Sequence, residues 1–102
     1  MQRDIQKDKA RFDLLIPEDQ PYSETMLCRL AELMARGAQK YEERNWEKAN
    51  TSSEYQHFRS SAFRHFMQWF SGETDEDHAA AVFFNIIGAE YVKGRIDVDS
   101  DW

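Results

Sequence analysis

Apolar residues in this chain recur at three- and four-residue spacing, and nowhere with the strict alternation of a half-buried strand. Met26, Leu27, Leu30, Leu33, Met34 and Ala38 form one such stripe, with Arg29, Glu32, Arg36 and Lys40 on the opposite face. The spacing predicts a first helix from about Glu24 to Tyr41, with Ser23 as N-cap and Glu24 where the helix dipole favours an anion. Gly37 interrupts the stripe late, and a close approach to another helix is its plain use. Thr51-Ser52-Ser53-Glu54 is a capping-box pattern, so a second helix is expected from near Ser52 to about Phe70, ended by Gly72. Phe58, Phe63, Phe66, Trp69 and Phe70 give it a broad aromatic face, and Gln56, Arg64 and Gln68 are free to meet water. Thr74, with Asp77 three residues on, is a weaker capping signal. It would place Asp75, Glu76 and Asp77 in the first turn of a third helix that runs to about Val92.

That third helix is the most informative segment. From Ala79 to Ala89 every residue is apolar or glycine except Asn85. A helix that is apolar all round must be buried all round, and two other long helices cannot surround it. The pattern therefore predicts a partner chain that completes a helical bundle. Before the helices, Arg11 to Ile16 reads equally as one short helical turn or an extended piece, and Pro17 and Pro21 bracket a turn-like link. Glu42 to Ser53 is a connection with room for one turn around Trp46. The organisation is an arm over residues 1–22, a helical domain over 23–94 and an acidic tail over 95–102. The tail's Asp97, Asp99 and Asp101 are expected to be loose. The fold class is all-α, with three main helices.

At 102 residues the chain fits one small domain. With 41% hydrophobic residues it is too apolar to be disordered. Cys28 is the single cysteine, which excludes an intrachain disulfide. Met1 to Asp8 has no apolar signal-peptide run, and the longest apolar run, Ala79 to Phe84, falls far short of the roughly 20 residues needed to span a bilayer. A soluble cytoplasmic protein with no membrane contact is expected. The formal charge of −6 argues against nucleic acid as a partner. It leaves open phosphorylated small molecules, which meet carboxylate sites through Mg2+.

The sequence has no nucleophile elbow, no Gly-rich phosphate loop and no zinc-type histidine spacing. Cys28 reads as a small near-core residue. Glu73, Asp75, Glu76 and Asp77 cluster at one helix entrance; they read either as a capped, solvated helix start or as oxygens for a hard divalent cation. Glu32 reads as a surface partner of Arg36 or as a further metal ligand facing that cluster. His65 is either a satisfied, half-buried histidine or a proton acceptor. Asn85 must meet a partner, because an unpaired buried amide costs about 2–7 kcal/mol; that partner is structural or is a nucleotide base or sugar. His78 lies on the same side of the helix, so a pocket lined by both is geometrically open to them. In the connection, Lys40, Arg44 and Trp46 could close over a nucleotide. Equally, Trp46 could anchor the loop to the core and Lys40 could pair with Glu43.

Several stretches together resemble a known family. They are Leu30-Ala31-Glu32, Gly37-Ala38-Gln39-Lys40-Tyr41 and Arg44-Asn45-Trp46-Glu47-Lys48, followed by Arg64-His65, Trp69-Phe70-Ser71-Gly72-Glu73, Asp75, His78-Ala79-Ala80 and Asn85. With the lead-in Lys9-Ala10-Arg11-Phe12-Asp13-Leu14-Leu15, they resemble the dATP/dGTP diphosphohydrolase N-terminal-type domain common in bacteriophages. The likeness runs from about Lys9 to Val92. That family is similar to the all-helical MazG-like nucleotide pyrophosphohydrolases, which implies a homodimer or homotetramer, Mg2+ or Mn2+ held by helix carboxylates, and cleavage of a nucleoside triphosphate to monophosphate and pyrophosphate. For a phage-encoded chain it also implies the host cytoplasm. The carboxylates gathered near helix ends make Glu32, Glu73, Asp75 and Asp77 the residues expected to supply or orient the metal shell. His65 or a carboxylate is the expected proton acceptor, Lys40, Arg44 and Arg64 are expected on the phosphates, and Trp46, His78 and Asn85 around the base or sugar. The MazG-like ExxE is absent from the first helix, where Glu32 follows Arg29 and precedes Ala35 at that spacing. The runner-up is therefore a non-catalytic oligomeric module for nucleotide binding or interaction.

Overall fold

A computed structural model describes residues 9–96, all helical or irregular, with no strand among them. Three α-helices dominate: α1, Met26–Lys40; α2, Ser52–Phe70; and α3, His78–Lys93. Single 3-10 turns stand at Phe12–Leu15, Tyr22–Glu24 and Asn45–Lys48. The first resolves the ambiguity of the lead-in as a helical turn, and the third is the turn expected around Trp46. The expected arm lies partly, and the acidic tail largely, outside the described residues.

Helix α2 begins and ends as its sequence dictates. Thr51 Oγ1 accepts from Glu54 N at 3.1 Å, and Glu54 Oε1 accepts from Thr51 N at 3.1 Å, a complete capping box. Gly72 follows at φ +83°, a conformation open to glycine at no steric cost. The other two helix starts correct the reading from sequence. The N-cap of α1 is Thr25, not Ser23, because Pro21 opens a tight turn of its own over Tyr22–Glu24. Thr25 is fully buried; its hydroxyl accepts from Cys28 N at 3.2 Å and donates to Tyr22 O at 2.8 Å. The N-cap of α3 is Asp77, not Thr74, and accepts from Ala80 N at 3.1 Å. Asp75 and Glu76 therefore precede the helix instead of filling its first turn.

Helices α2 and α3 pack along one another. From α2, Tyr55, Phe58 and His65 face α3; from α3, Ala81, Asn85, Gly88, Ala89 and Val92 form the buried stripe. Close approach occurs at Gly88, where a Cβ would lie 2.5 Å from Phe58 Cε1; Gly37, by contrast, has no atom within 4 Å of such a position. Tyr55, Ala49, Ala89 and Val92 form the buried cluster, with Phe58 and Ile96 packed against it.

Much of the apolar surface expected inside lies outside. The aromatic face of α2 is solvent-exposed at Phe63, Phe66, Met67 and Phe70, and α3 exposes Phe83, Ile86 and Ile87. Helix α3 is thus buried on one side only within a single chain. Of the expected aromatic face only Phe58 meets α3 at Gly88, in line with Tyr55 and His65.

The loop from α1 to α2 is held by charge and ring contacts. Arg44 caps the Asn45–Lys48 turn at φ 57°, the only non-glycine residue described with left-handed backbone. Its guanidinium meets Glu47 at 2.6 Å, and Lys48 meets Glu42 at 2.6 Å. Trp46 packs edge-on against Phe84 and Tyr91, with ring centroids at 6.3 and 5.2 Å, which supports its expected role as the loop's anchor. Lys40 lies 5.5 Å from the Tyr41 ring.

Helix α1 is tied to the start of α3 by a two-pronged ion pair. Arg29 Nε and Nη2 donate to Asp77 Oδ2 and Oδ1 at 2.9 and 2.7 Å. These bonds hold the Asp77 carboxyl below its usual range, against an opposing push from burial. A carboxylate lowered in the folded state stabilises above its unfolded value, about 3.9, and that contribution is lost as pH falls through the lower folded value. Asp77→Asn keeps a competent N-cap and removes the charge. Urea melts are expected to show the wild type more stable than this variant at neutral pH, with the gap closing below about pH 4. A gap constant down to pH 2 would show that the pair contributes nothing through its charge.

Candidate metal and nucleotide site

The chemistry gathers where the C-terminal half of α2 meets the start of α3. His65 and His78, both buried, bring their Nδ1 atoms to 2.9 Å. His78 Nε2 lies 2.7 Å from Asp75 Oδ1, and Arg64 Nη2 lies 3.3 Å from His65 Nε2. Donor logic fixes the protons along this chain. A guanidinium only donates, so His65 Nε2 accepts and its Nδ1 carries hydrogen. His78 Nδ1 then accepts, and its Nε2–H donates to the Asp75 carboxylate. Burial, with Arg64 next in effect, pushes the His65 pKa below its ordinary value, so the ring is neutral at neutral pH. The hydrogen bond from His78 holds Asp75 low.

Among the described residues, donor atoms converge in two groups that share His78: His65 with Glu76, and Glu73 with Asp75. Within each group the atoms lie within 4.8 Å of one another. Imidazole and carboxylate donors at this separation fit a divalent ion. Of the four expected metal residues, Glu73 and Asp75 fall in such a group. Glu73 also accepts from Gln68 Nε2 at 3.1 Å. Asp77 and Glu32 belong to neither group: both Asp77 oxygens are engaged by Arg29, and Glu32 stands exposed on α1.

A cavity of about 960 Å3 opens beside this cluster, within the range of small-molecule sites. His65 and Glu76 form part of its wall, and Lys40, Arg44, Arg64, Trp46 and Asn85 are among the other residues that line it. The three expected phosphate cations and the expected proton acceptor are therefore brought to one space. Asn85 Nδ2 donates to Ala81 O at 2.8 Å, which provides the structural partner its burial required and turns its carbonyl oxygen away from that bond. His78 is placed differently from the expectation. Both of its ring nitrogens are engaged, and it borders a smaller cavity with Arg29, Trp69 and Glu76. It acts on its neighbours in the helix interface and does not share a pocket with Asn85.

His57 and Glu76 are two polar cavity residues to which the sequence assigns no individual role. His57 lines the wall one turn before Ser61, with no neighbour in sequence to mark it. Glu76 is marked in the sequence only as one of four acids in five positions; its place beside His65 and His78 depends on the packing of α3 against α2. The Asp75-to-His78 spacing of three was the one local signal for the histidine pair.

Compared with known proteins, the sequence matches the family described as dATP/dGTP diphosphohydrolase, N-terminal, over residues 2–100. No curated protein and no solved structure matches the chain.

Proposed function

The chain belongs to the dATP/dGTP diphosphohydrolase N-terminal family, and from that premise we propose that it hydrolyses nucleoside triphosphates, deoxynucleotides among them, to monophosphate and pyrophosphate. The observation that carries this reading is one cavity lined both by Lys40, Arg44 and Arg64 and by His65 and Glu76 of a metal-competent donor group. Cations alone would bind phosphate; donors for a divalent ion at the same space add a means of breaking a phosphoanhydride bond.

The carboxylates of the two donor groups, Glu73, Asp75 and Glu76, would hold Mg2+ or Mn2+. Such an ion neutralises phosphate oxygens and lowers the pKa of an attacking water. Lys40, Arg44 and Arg64 stabilise charge that develops on the leaving pyrophosphate. His65, neutral and bordering the cavity, or a neighbouring carboxylate takes the proton from water. The Asn85 carbonyl oxygen accepts from a base or sugar donor, and the edge of Trp46 left free by Phe84 and Tyr91 offers an apolar wall. The working form is a homodimer or homotetramer in the cytoplasm, of the host if the gene is a phage's. No helix among the described residues is long and apolar enough to cross a membrane.

A second reading, a non-catalytic nucleotide-binding or interaction module, is favoured by the position of Glu32 and Asp77 outside both donor groups. Product analysis of a deoxy- and ribonucleoside triphosphate panel with Mg2+ and Mn2+, against an EDTA control, separates the two. Monophosphate plus pyrophosphate, lost in EDTA, is expected. No turnover across the panel would leave the binding module as the function.

A further inference from the structure

We infer that His65, Glu76 and His78 form a binding site for a nitrogen-preferring first-row divalent ion of the Co2+ or Zn2+ kind, with Asp75 behind His78 as its positioning residue and not as a ligand.

Three observations carry this. The first is the facing of two buried imidazoles through the same atom, Nδ1 to Nδ1, at 2.9 Å. With metal–nitrogen bonds of roughly 2.0–2.1 Å, that separation subtends an angle of about 90° at a shared ion, which suits two adjacent ligands. The second is the Asp75–His78 bond. Metal-bound histidines characteristically donate their other ring N–H to a carboxylate, which fixes the tautomer and turns the lone pair to the ion. His78 Nε2 does this at 2.7 Å, leaving Nδ1 as the donor atom. The third is Glu76, exposed, bordering both cavities and within reach of both rings. It closes the group on the side from which an ion enters.

The donor set selects the ion. Two imidazoles and one carboxylate suit Zn2+, Co2+ and Ni2+, whereas Mg2+ wants oxygen and keeps its waters. Uptake also rearranges the apo network. His65 must give Nδ1 to the ion and carry its proton on Nε2, so the Arg64 guanidinium turns away. Arg64 is exposed and bonds Gln68 at 3.0 Å, so this motion disturbs no core contact. Coordination removes His65 from the role of proton acceptor and leaves that role to a carboxylate. The inference rests on the metal-dependent reading above, but its test needs no turnover: a protein that binds the ion and hydrolyses nothing keeps this site and loses that function.

The test is titration of the full chain with Co2+, followed by the visible ligand-field bands and by calorimetry. Tight binding is expected, with bands that survive a Mg2+ excess of about 1,000-fold. Glu76→Gln, a surface change that spares the core, should alter the bands and weaken binding, and His65→Ala should abolish them with helicity kept by circular dichroism. Glu73→Ala should leave them unchanged, while Asp75→Asn should weaken binding about 10–100-fold at unchanged band positions. Displacement of Co2+ by equimolar Mg2+ would overturn the inference. So would bands that persist in Glu76→Gln and vanish in Glu73→Ala, because the ion would then sit in the oxygen-rich group.

Discussion

Phe83→Glu combined with Ile86→Glu is expected to reduce the particle to a single chain of 12.1 kDa by light scattering, from two or four chains in the wild type. Both side chains project from the outer face of α3, about half exposed, beside Ile87. The outer face of α2 adds Phe63, Phe66, Met67 and Phe70. What one chain buries is small by comparison: among the described residues, the buried hydrophobic ones are Ala49, Tyr55, Ala80, Ala81, Ala89 and Val92. A core made largely of alanine cannot balance the conformational entropy of folding at this length. A second copy has the same two stripes to cover, and a two-fold pairing sets like patch on like patch. Two glutamates per chain in such an interface would be desolvated without partners, at several kcal/mol per ion. Helicity should fall with dissociation, whereas Gln39→Glu on the exposed face of α1 should change neither property. A wild-type protein that is monomeric at micromolar concentration would remove the need for a partner chain.

Two alanine substitutions should move stability in opposite directions. At Gly37 a Cβ meets no atom within 4 Å, so Gly37→Ala gains helix propensity, up to about 1 kcal/mol. At Gly88 the same gain is set against three Phe58 ring carbons at 2.5, 2.7 and 2.8 Å. The ring cannot withdraw freely, because it stacks edge-on against Phe84 with centroids 6.1 Å apart. Overpacking of this kind costs typically 1–3 kcal/mol, which outweighs the propensity term. Gly88→Ala is therefore expected to destabilise by about 1–2 kcal/mol, lowering Tm by roughly 4–15 °C for a domain of this size. Thermal melts of both variants check the pair. A rise in Tm for Gly88→Ala would mean that α2 and α3 are not packed through this glycine.

The ends of α2 were legible because their signals are local: Thr51 and Glu54 bond each other, and Gly72 takes a backbone conformation that other residues avoid. The start of α3 was less so. Thr74 and Asp77 are both plausible caps, and the choice falls to Asp77, where Arg29, from a different helix, supplies a second partner. The start of α1 was displaced two residues by the turn that Pro21 begins. Helix α2 offers a broad aromatic face, and sequence periodicity cannot say which part of it meets α3; Phe58 alone does so at Gly88. The site divides in the same way. Lys40, Arg44, Arg64, His65, Trp46 and Asn85 were identifiable as residue types suited to a nucleotide, and they line one cavity. The pairing of His65 with His78 joins residues 13 apart on two helices, and its one local trace is the three-residue spacing from Asp75 to His78. Of the acidic run, Asp77 is engaged by the Arg29 ion pair, while Glu73, Asp75 and Glu76 reach the two donor groups.

Arg44 sits in a left-handed turn that glycine or asparagine would occupy with less strain. Either replacement would relax the loop and, with the same stroke, remove a cation from the cavity wall. On the proposed function, thermal robustness and phosphate affinity are therefore opposed at this single position. A search for hardier variants that scores only melting would drift toward glycine at 44 and lose a cation of the cavity wall unnoticed. Screens of this domain need a binding readout beside the thermal one.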